Sequence, residues 1–309
     1  NYGFYANPHS TGTNITFNFG QDSSFAGTET AQGNTDGNGI GDFYYAPPTG
    51  FRALCSSNLS EPTIGPNSDT NSTDHFNTVI YTGNGSNNAV TGVGFKPDWL
   101  WTKDLTDTEN HVWLDSCRGF THRLASNLST AETTDTNATI SSFDSDGFTL
   151  TQYHDSNVSS STNIGWCWKG GGAPTATNSA GAGATPTAGS VKIDGSNLGS
   201  ALGGSIPATK ISANTVSGFS IVTFVGNNTN DATIAHALGP STPGMIITKN
   251  RDESTNAAGN VNMHWRVWHK DLTDTYSEFL SRNLYEVAPS GHSNGYIKTV
   301  GDATYSTYQ

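Results

Sequence analysis

The chain repeats itself, and a repeat constrains architecture more than any single motif. Residues 76–85 (FNTVIYTGNG) match residues 219–228 (FSIVTFVGNN), and residues 94–103 (GFKPDWLWTK) match a stretch that runs from Leu238-Gly239 to residues 243–249 (PGMIITK). Residues 124–128 (LASNL) match 280–284 (LSRNL) further on. The register drifts only in Gly- and Asn-rich stretches, where insertions into β-modules are tolerated. Two homologous modules therefore begin near Asp74 and Ser217. The hexamer KDLTDT occurs at both Lys103 and Lys270 but is out of step with this alignment. It reads as a polar turn that arose twice.

The spacing of the apolar residues says what each module is made of. Segments 79–81, 99–101, 111–114, 148–150, 164–168, 221–224 and 245–247 are short, β-branched or aromatic, and bounded by turn residues. Helix formers are scarce, with 14 Lys+Arg and 2 Met against 35 Gly. The fold expected is all-β: tandem antiparallel β-sandwich modules of jelly-roll or concanavalin-like type. Asp146-Gly147 before Phe148 predicts a hairpin turn. One or two helical turns are expected around residues 121–128, with an equivalent near 276–284. The domain reading is residues 1–73 as a leading segment, 74–172 as the first module, 173–216 as a Gly/Ala/Ser/Thr-rich linker or surface excursion, and 217–309 as the second module. Within the linker, Val191-Lys192-Ile193 and Lys210-Ile211-Ser212 have strand character.

A net charge of −12 leaves no basic footprint for nucleic acid or anionic lipid, and no apolar run is long enough to insert in a bilayer. Cys55, Cys117 and Cys167 cannot all pair within one chain, and none sits in a metal-binding spacing, so buried free thiols are expected. Eight N-x-S/T sequons follow from the Asn, Ser and Thr content and carry no conclusion.

Trp99/Trp101 and Trp166/Trp168 each place two indoles on one strand face, where they serve either as a sandwich core or as a sugar-stacking platform. The core reading is favoured. Trp113, Trp265 and Trp268 remain as candidate ligand-binding residues, because Trp265 and Trp268, three apart, cannot share a face. Asp104/Asp107/Glu109 and Asp271/Asp274/Glu278 are carboxylate groups of the kind glycoside hydrolysis needs, but they sit where turns favour Asp, and no catalytic role is assigned. Asn34, Asp36, Asn38 and Asp42 place side-chain oxygens at alternate positions like the first half of a calcium loop. Tyr45 stands where the closing acid would be, so Ca2+ is the only cofactor the pattern allows and an ordinary loop is favoured over it.

Residues 43–59 (FYYAPPTGFRALCSSNL), preceded by 15–21 (ITFNFGQ), resemble the end of a SPRY-like, concanavalin-like β-sandwich found in structural proteins of tailed phages, marine and cyanobacterial ones especially. Residues 94–99, 164–169, 218–224, 236–239 and 247–251 resemble the repeated β-module that follows it in phage tail-fibre proteins. The resemblance implies a virion structural protein, a tail fibre or similar appendage. It would be made in the host cytoplasm, displayed on the virion surface, and act by binding, not catalysis. The implied partners are other copies of itself, commonly as a trimer, other virion proteins and a host-surface glycan. Two rivals stand beside this reading: an architectural capsid-decoration or filament subunit, and a tailspike-like glycan depolymerase. The second module lacks the closing Gly-Trp-Cys-Trp strand of residues 165–168, and a continuation past Gln309 is expected from that.

Overall fold

The computed structural model describes residues 16–59, 71–134, 139–151, 155–252, 264–272, 278–280, 297–301 and 303–307. The chain divides into two compact units, Asn1–Pro62 and Thr63–Gln309. In the first unit the described residues form loops and one 3-10 turn, Ser56–Asn58, with one bridge, Asn34 to Phe43. Phe43 and Ala53 are buried there. A Cβ on Gly20 would come within 2.7 Å of the Ala53 Cβ, so the chain can close on Phe43 only at a glycine.

The second unit is all-β, and among its described residues there is no α-helix. The first module comprises β1 (Phe76–Thr82), β2 (Asn88–Thr91), β3 (Trp99–Asp104), β4 (Val112–Asp115), β5 (His122–Ala125), β6 (Thr133–Thr134), β7 (Ile140–Asp144), β8 (Gly147–Leu150) and β9 (Thr162–Trp168). Strands β10 (Val191–Ile193), β11 (Ser196–Asn197) and β12 (Ala208–Asn214) follow. The second module has β13 (Phe219–Phe224), β14 (Thr233–Ala235), β15 (Met245–Thr248), β16 (Arg266–His269), β17 (Glu278–Phe279), β18 (Ile297–Val300) and β19 (Thr304–Thr307).

A six-stranded sheet, β1-β9-β3-β4-β5-β6, packs on a three-stranded sheet, β2-β8-β7. The period-two pattern sends Val79, Tyr81, Leu100 and Cys167 inward from the large sheet to meet Val90, Ile140, Phe143, Phe148 and Leu150 from the small one. The second module repeats the plan with sheets β15-β16-β17 and β14-β19-β18. Its Ile234 pairs with Tyr305 as Val90 pairs with Phe148 in the first. The two modules are thus tandem sandwiches. The expected hairpin forms at β7–β8, where Gly147 has φ 153° and a Cβ would strike the Val90 carbonyl oxygen at 2.0 Å.

Two expectations are corrected. Residues 122–125 are strand β5, not helix, because pairing with β4 turns Leu124 into a buried cluster. The equivalent position is strand β17, while residues 273–277 and 281–284 lie outside those described. The stretch expected as a linker or surface excursion is folded, and the strand character of residues 191–193 and 210–212 appears as β10 and β12, which pair in parallel within a sheet ordered β11-β10-β12-β13, over a core of Val191, Leu202, Ala208, Ile211 and Ala213. Its small residues serve close approach. A Cβ on Gly171 would lie 2.3 Å from the Ala213 oxygen and 2.5 Å from the Lys192 oxygen.

Candidate functional site: an aromatic face

The outer face of the six-stranded sheet carries most of the tryptophan. Register places Thr78, Trp166, Trp101, Trp113 and Leu124 in one row across β1, β9, β3, β4 and β5. Phe76, Trp168 and Trp99 form the next row. Ring centroids along these rows are 4.7 Å apart for Phe76–Trp168, 4.1 Å for Trp99–Trp168, 5.3 Å for Trp101–Trp166 and 5.4 Å for Trp101–Trp113. Such offset and edge contacts are favoured by the ring quadrupoles.

One end of this face is covered by the second module. Phe219 stacks on Trp99 at 5.5 Å, and Trp265 meets Trp113 at 4.3 Å while its indole N–H donates to the Ala125 carbonyl at 2.9 Å. Ile247 and Leu280 pack there too, at the positions equivalent to Trp101 and Leu124, so the two modules face each other through matching surfaces. Beside the aromatic contact, Glu132 accepts from Arg118 Nη1 at 3.0 Å and from Arg251 Nη2 at 2.6 Å. Burial raises the Glu132 carboxyl, but the Arg251 hydrogen bonds and the Arg118 charge outweigh it and hold the group below the ordinary range.

The other end is open. Trp101, which also packs against the covered cluster, and Trp166 are half-buried, Thr78 is exposed, Phe76 is 37% exposed and Ile80 is 71% exposed on the edge strand β1. Two fixed indoles flanked by an exposed apolar edge can stack on the C–H faces of a sugar ring or take an apolar surface of another protein.

Sequence reasoning points to different tryptophans. Trp113 and Trp265 are buried between the modules, and an indole packed on both sides has no face left for a ligand. Trp268 is half-buried against the second core. For Trp101 and Trp166 the sequence favours a place in the core over a platform. The core lies on the opposite side of the sheet, so alternation finds the face but not which face is covered.

The carboxylate groups resolve into turns and pairs. Asp104 Oδ1 accepts from the N–H groups of Thr106 at 2.8 Å and Asp107 at 3.1 Å. Glu109 is raised by burial and by the Asp155 carboxylate beside it. Asp271 is an exposed turn residue paired with Lys270, and Asp274 lies outside the described residues.

In the first unit, the loop with alternating oxygens is closed by the protein. Asp36 Oδ1 accepts from the N–H groups of Asn38 and Ile40, and Oδ2 accepts from the Ala53 N–H at 2.9 Å and the Asn58 amide at 2.7 Å. Burial opposes ionisation, but these donors hold the Asp36 carboxyl down at about 2. Asn34 donates its amide to the carbonyls of Phe43 and Tyr44, Asn38 donates to Asn58, and Asp42 Oδ2 accepts from the Ser23 N–H. Among the described residues no group of three or more His, Cys, Asp or Glu is placed to hold a metal. Cys117 and Cys167 are buried thiols, whereas Cys55 is exposed. Burial pushes the Cys167 thiol up to about 12.

These features define a protein of tandem β-sandwich modules with an aromatic face. The chain belongs to the family described as "Domain of unknown function (DUF7483)", whose model matches it twice, over residues 71–193 and 191–307. No curated protein and no solved structure matches the chain.

Proposed function

We propose that the chain is a virion structural protein of a tailed phage, the β-rich part of a tail fibre or similar surface appendage, and that it binds host-surface glycan through Trp101, Trp166 and the neighbouring β1 edge. The single observation that carries this reading is the strip of half-buried indoles left open beside exposed Phe76 and Ile80. Support also comes from the resemblance of the repeated segments to phage fibre modules and from the net charge of −12, which suits an exposed appendage and not a nucleic-acid-binding role. The partners are other copies of the chain, other virion proteins and the glycan, with avidity supplied by a homo-oligomer such as a trimer.

A purely architectural role, as a capsid decoration or filament subunit, is the second reading. It is favoured by the 71% exposure of Ile80 on an edge strand, an apolar feature that suits subunit contact. Binding of the purified chain to candidate aquatic bacterial hosts, with reducing-sugar release followed on the same glycan extracts, separates the readings. Saturable binding that Trp166→Ala weakens, without sugar release, supports the adhesin. Sugar release would make the protein a depolymerase, and neither signal would leave the architectural role.

A further inference from the structure

The open end of the aromatic face is a strip two strands wide. Register sets Phe76 beside Trp168, Thr78 beside Trp166 and Ile80 beside Ile164 on the outer side of β1 and β9. The three β1 side chains are exposed and the three from β9 are half-buried. None of the six is charged. The charge that shares a row with them, Lys103 beside Ile164 on β3, is tied to its own turn, where the ammonium donates to the carbonyls of Asp104 and, at 2.9 Å, of Asp107.

Three properties of the strip select a ligand. From Phe76 to Ile80 the strand advances by roughly 13 Å, which is longer than one sugar ring, so a terminal monosaccharide leaves rows empty that a chain would cover. A carboxylate, sulfate or ammonium laid on the rows would lose water and gain no partner, which favours a neutral chain. The Thr78 hydroxyl is the one polar side-chain group among the six, so contact relies on ring C–H faces stacked on indole, phenyl and isoleucine. Those faces are flat and continuous along a chain only when ring substituents and linkages are equatorial.

We infer that the strip binds an unbranched, neutral glycan of equatorially linked pyranoses, several rings at a time, laid along β1 and β9. The assignment rests on the glycan-binding reading and narrows it to one class of sugar chain. Trp166 carries the middle of the bound segment, with Phe76 and Trp168 under one neighbouring ring and Ile80 and Ile164 under the other. Affinity then grows with chain length and is insensitive to salt, because no ion pair is formed.

Competition for binding of the 309-residue chain to host-glycan extracts tests this. The competitors are β-1,4-linked glucose oligomers from dimer to hexamer, α-1,4-linked glucose oligomers, whose linkage is axial at one carbon, and oligogalacturonate. The β-linked series is expected to compete at least about tenfold better as hexamer than as dimer, with the other two series at least about tenfold weaker than the β-linked hexamer. Ile80→Ala, at a position 71% exposed and outside the core, should flatten the rise with length. Failure of the β-linked hexamer to compete, equal competition by dimer and hexamer, or equal competition by either other series would overturn the inference. The glycan-binding reading would still stand on extract binding that Trp166→Ala weakens. No binding to the extracts, with Ile80→Ala instead abolishing self-association of the chain, would overturn both and make the strip a contact between copies.

Discussion

Trp113 and Trp265 meet edge to face, their ring centroids 4.3 Å apart and their planes at 62°, and each comes from a different copy of the duplicated domain. Both are nearly inaccessible to solvent, at 8% and 2%. Their burial joins two sandwiches that each have their own core. Trp265→Ala is expected to cost about 3–5 kcal/mol, the usual range for emptying an aromatic core position. Denaturant unfolding followed by fluorescence should show the two modules still melting together but at lower denaturant. A loss below about 1 kcal/mol would mean that the contact contributes little.

Glu132 makes the same junction sensitive to acid. Its folded-state pKa is depressed, so its contribution is fully present above the unfolded value of about 4.3 and is lost as pH falls through the lower folded value. Glu132→Gln leaves the buried Arg118 guanidinium short of a charge partner and is expected to cost about 3 kcal/mol near neutral pH. The variant should also flatten the decline in stability between roughly pH 5 and 3. An unchanged acid limb would show that other carboxylates govern it.

Trp166 separates binding from stability. Its ring is half-buried at the open end of the aromatic rows, against Trp101 at 5.3 Å. Trp166→Ala is expected to weaken host-glycan binding about tenfold, the loss of a stacking contact worth about 1.5 kcal/mol. Trp265→Ala, assayed at a temperature where it stays folded, should bind normally. Glycan array titration of the two variants checks this, and equal losses would place binding elsewhere.

Gly171, just before the segment between the modules, tests whether that segment is packed against it or merely connecting. A Cβ there would sit 2.3 Å from the Ala213 oxygen, which belongs to rigid strand backbone. Gly171→Ala is expected to cost about 1–3 kcal/mol through overpacking, read as a shift in thermal unfolding. A neutral result would mean that the segment is free to move away.

The Asp36 loop is held by N–H donors, and chelation is therefore expected to leave its stability unchanged. Thermal unfolding with and without EDTA and added calcium checks this. Asp36→Ala should destabilise the unit spanning residues 1–62, because four donors lose their acceptor. The Asp36 contribution should persist above the unfolded value near 3.9 and fade as pH drops toward 2. A calcium-dependent rise in melting temperature would assign the loop to a cation.

Much of the fold is legible in the sequence because it rests on local rules. Alternation in residues 76–82, 99–104 and 162–168 marks the strands, Asp146-Gly147 marks the hairpin, and the repeat marks the two modules. What local pattern does not supply is pairing. His122–Ala125 has spacing compatible with a helical turn, and only the ladder with β4 makes it a strand. The Gly- and Ala-rich stretch resembles a linker because small residues serve flexibility in one context and close contact in another, and Ala213 beside Gly171 decides between them. The site suffers the same limit. Trp166 and Trp265 are alike as sequence, and only the docking of the second module covers one and leaves the other open.

The matching surfaces through which the modules meet bear on how such a chain can lengthen. Recombination that inserted or deleted one module would strip the cover from Trp99, Trp113 and Trp265 together, leaving an aggregation-prone face. The burial of these indoles is thus a property of the pair of modules and of neither one alone.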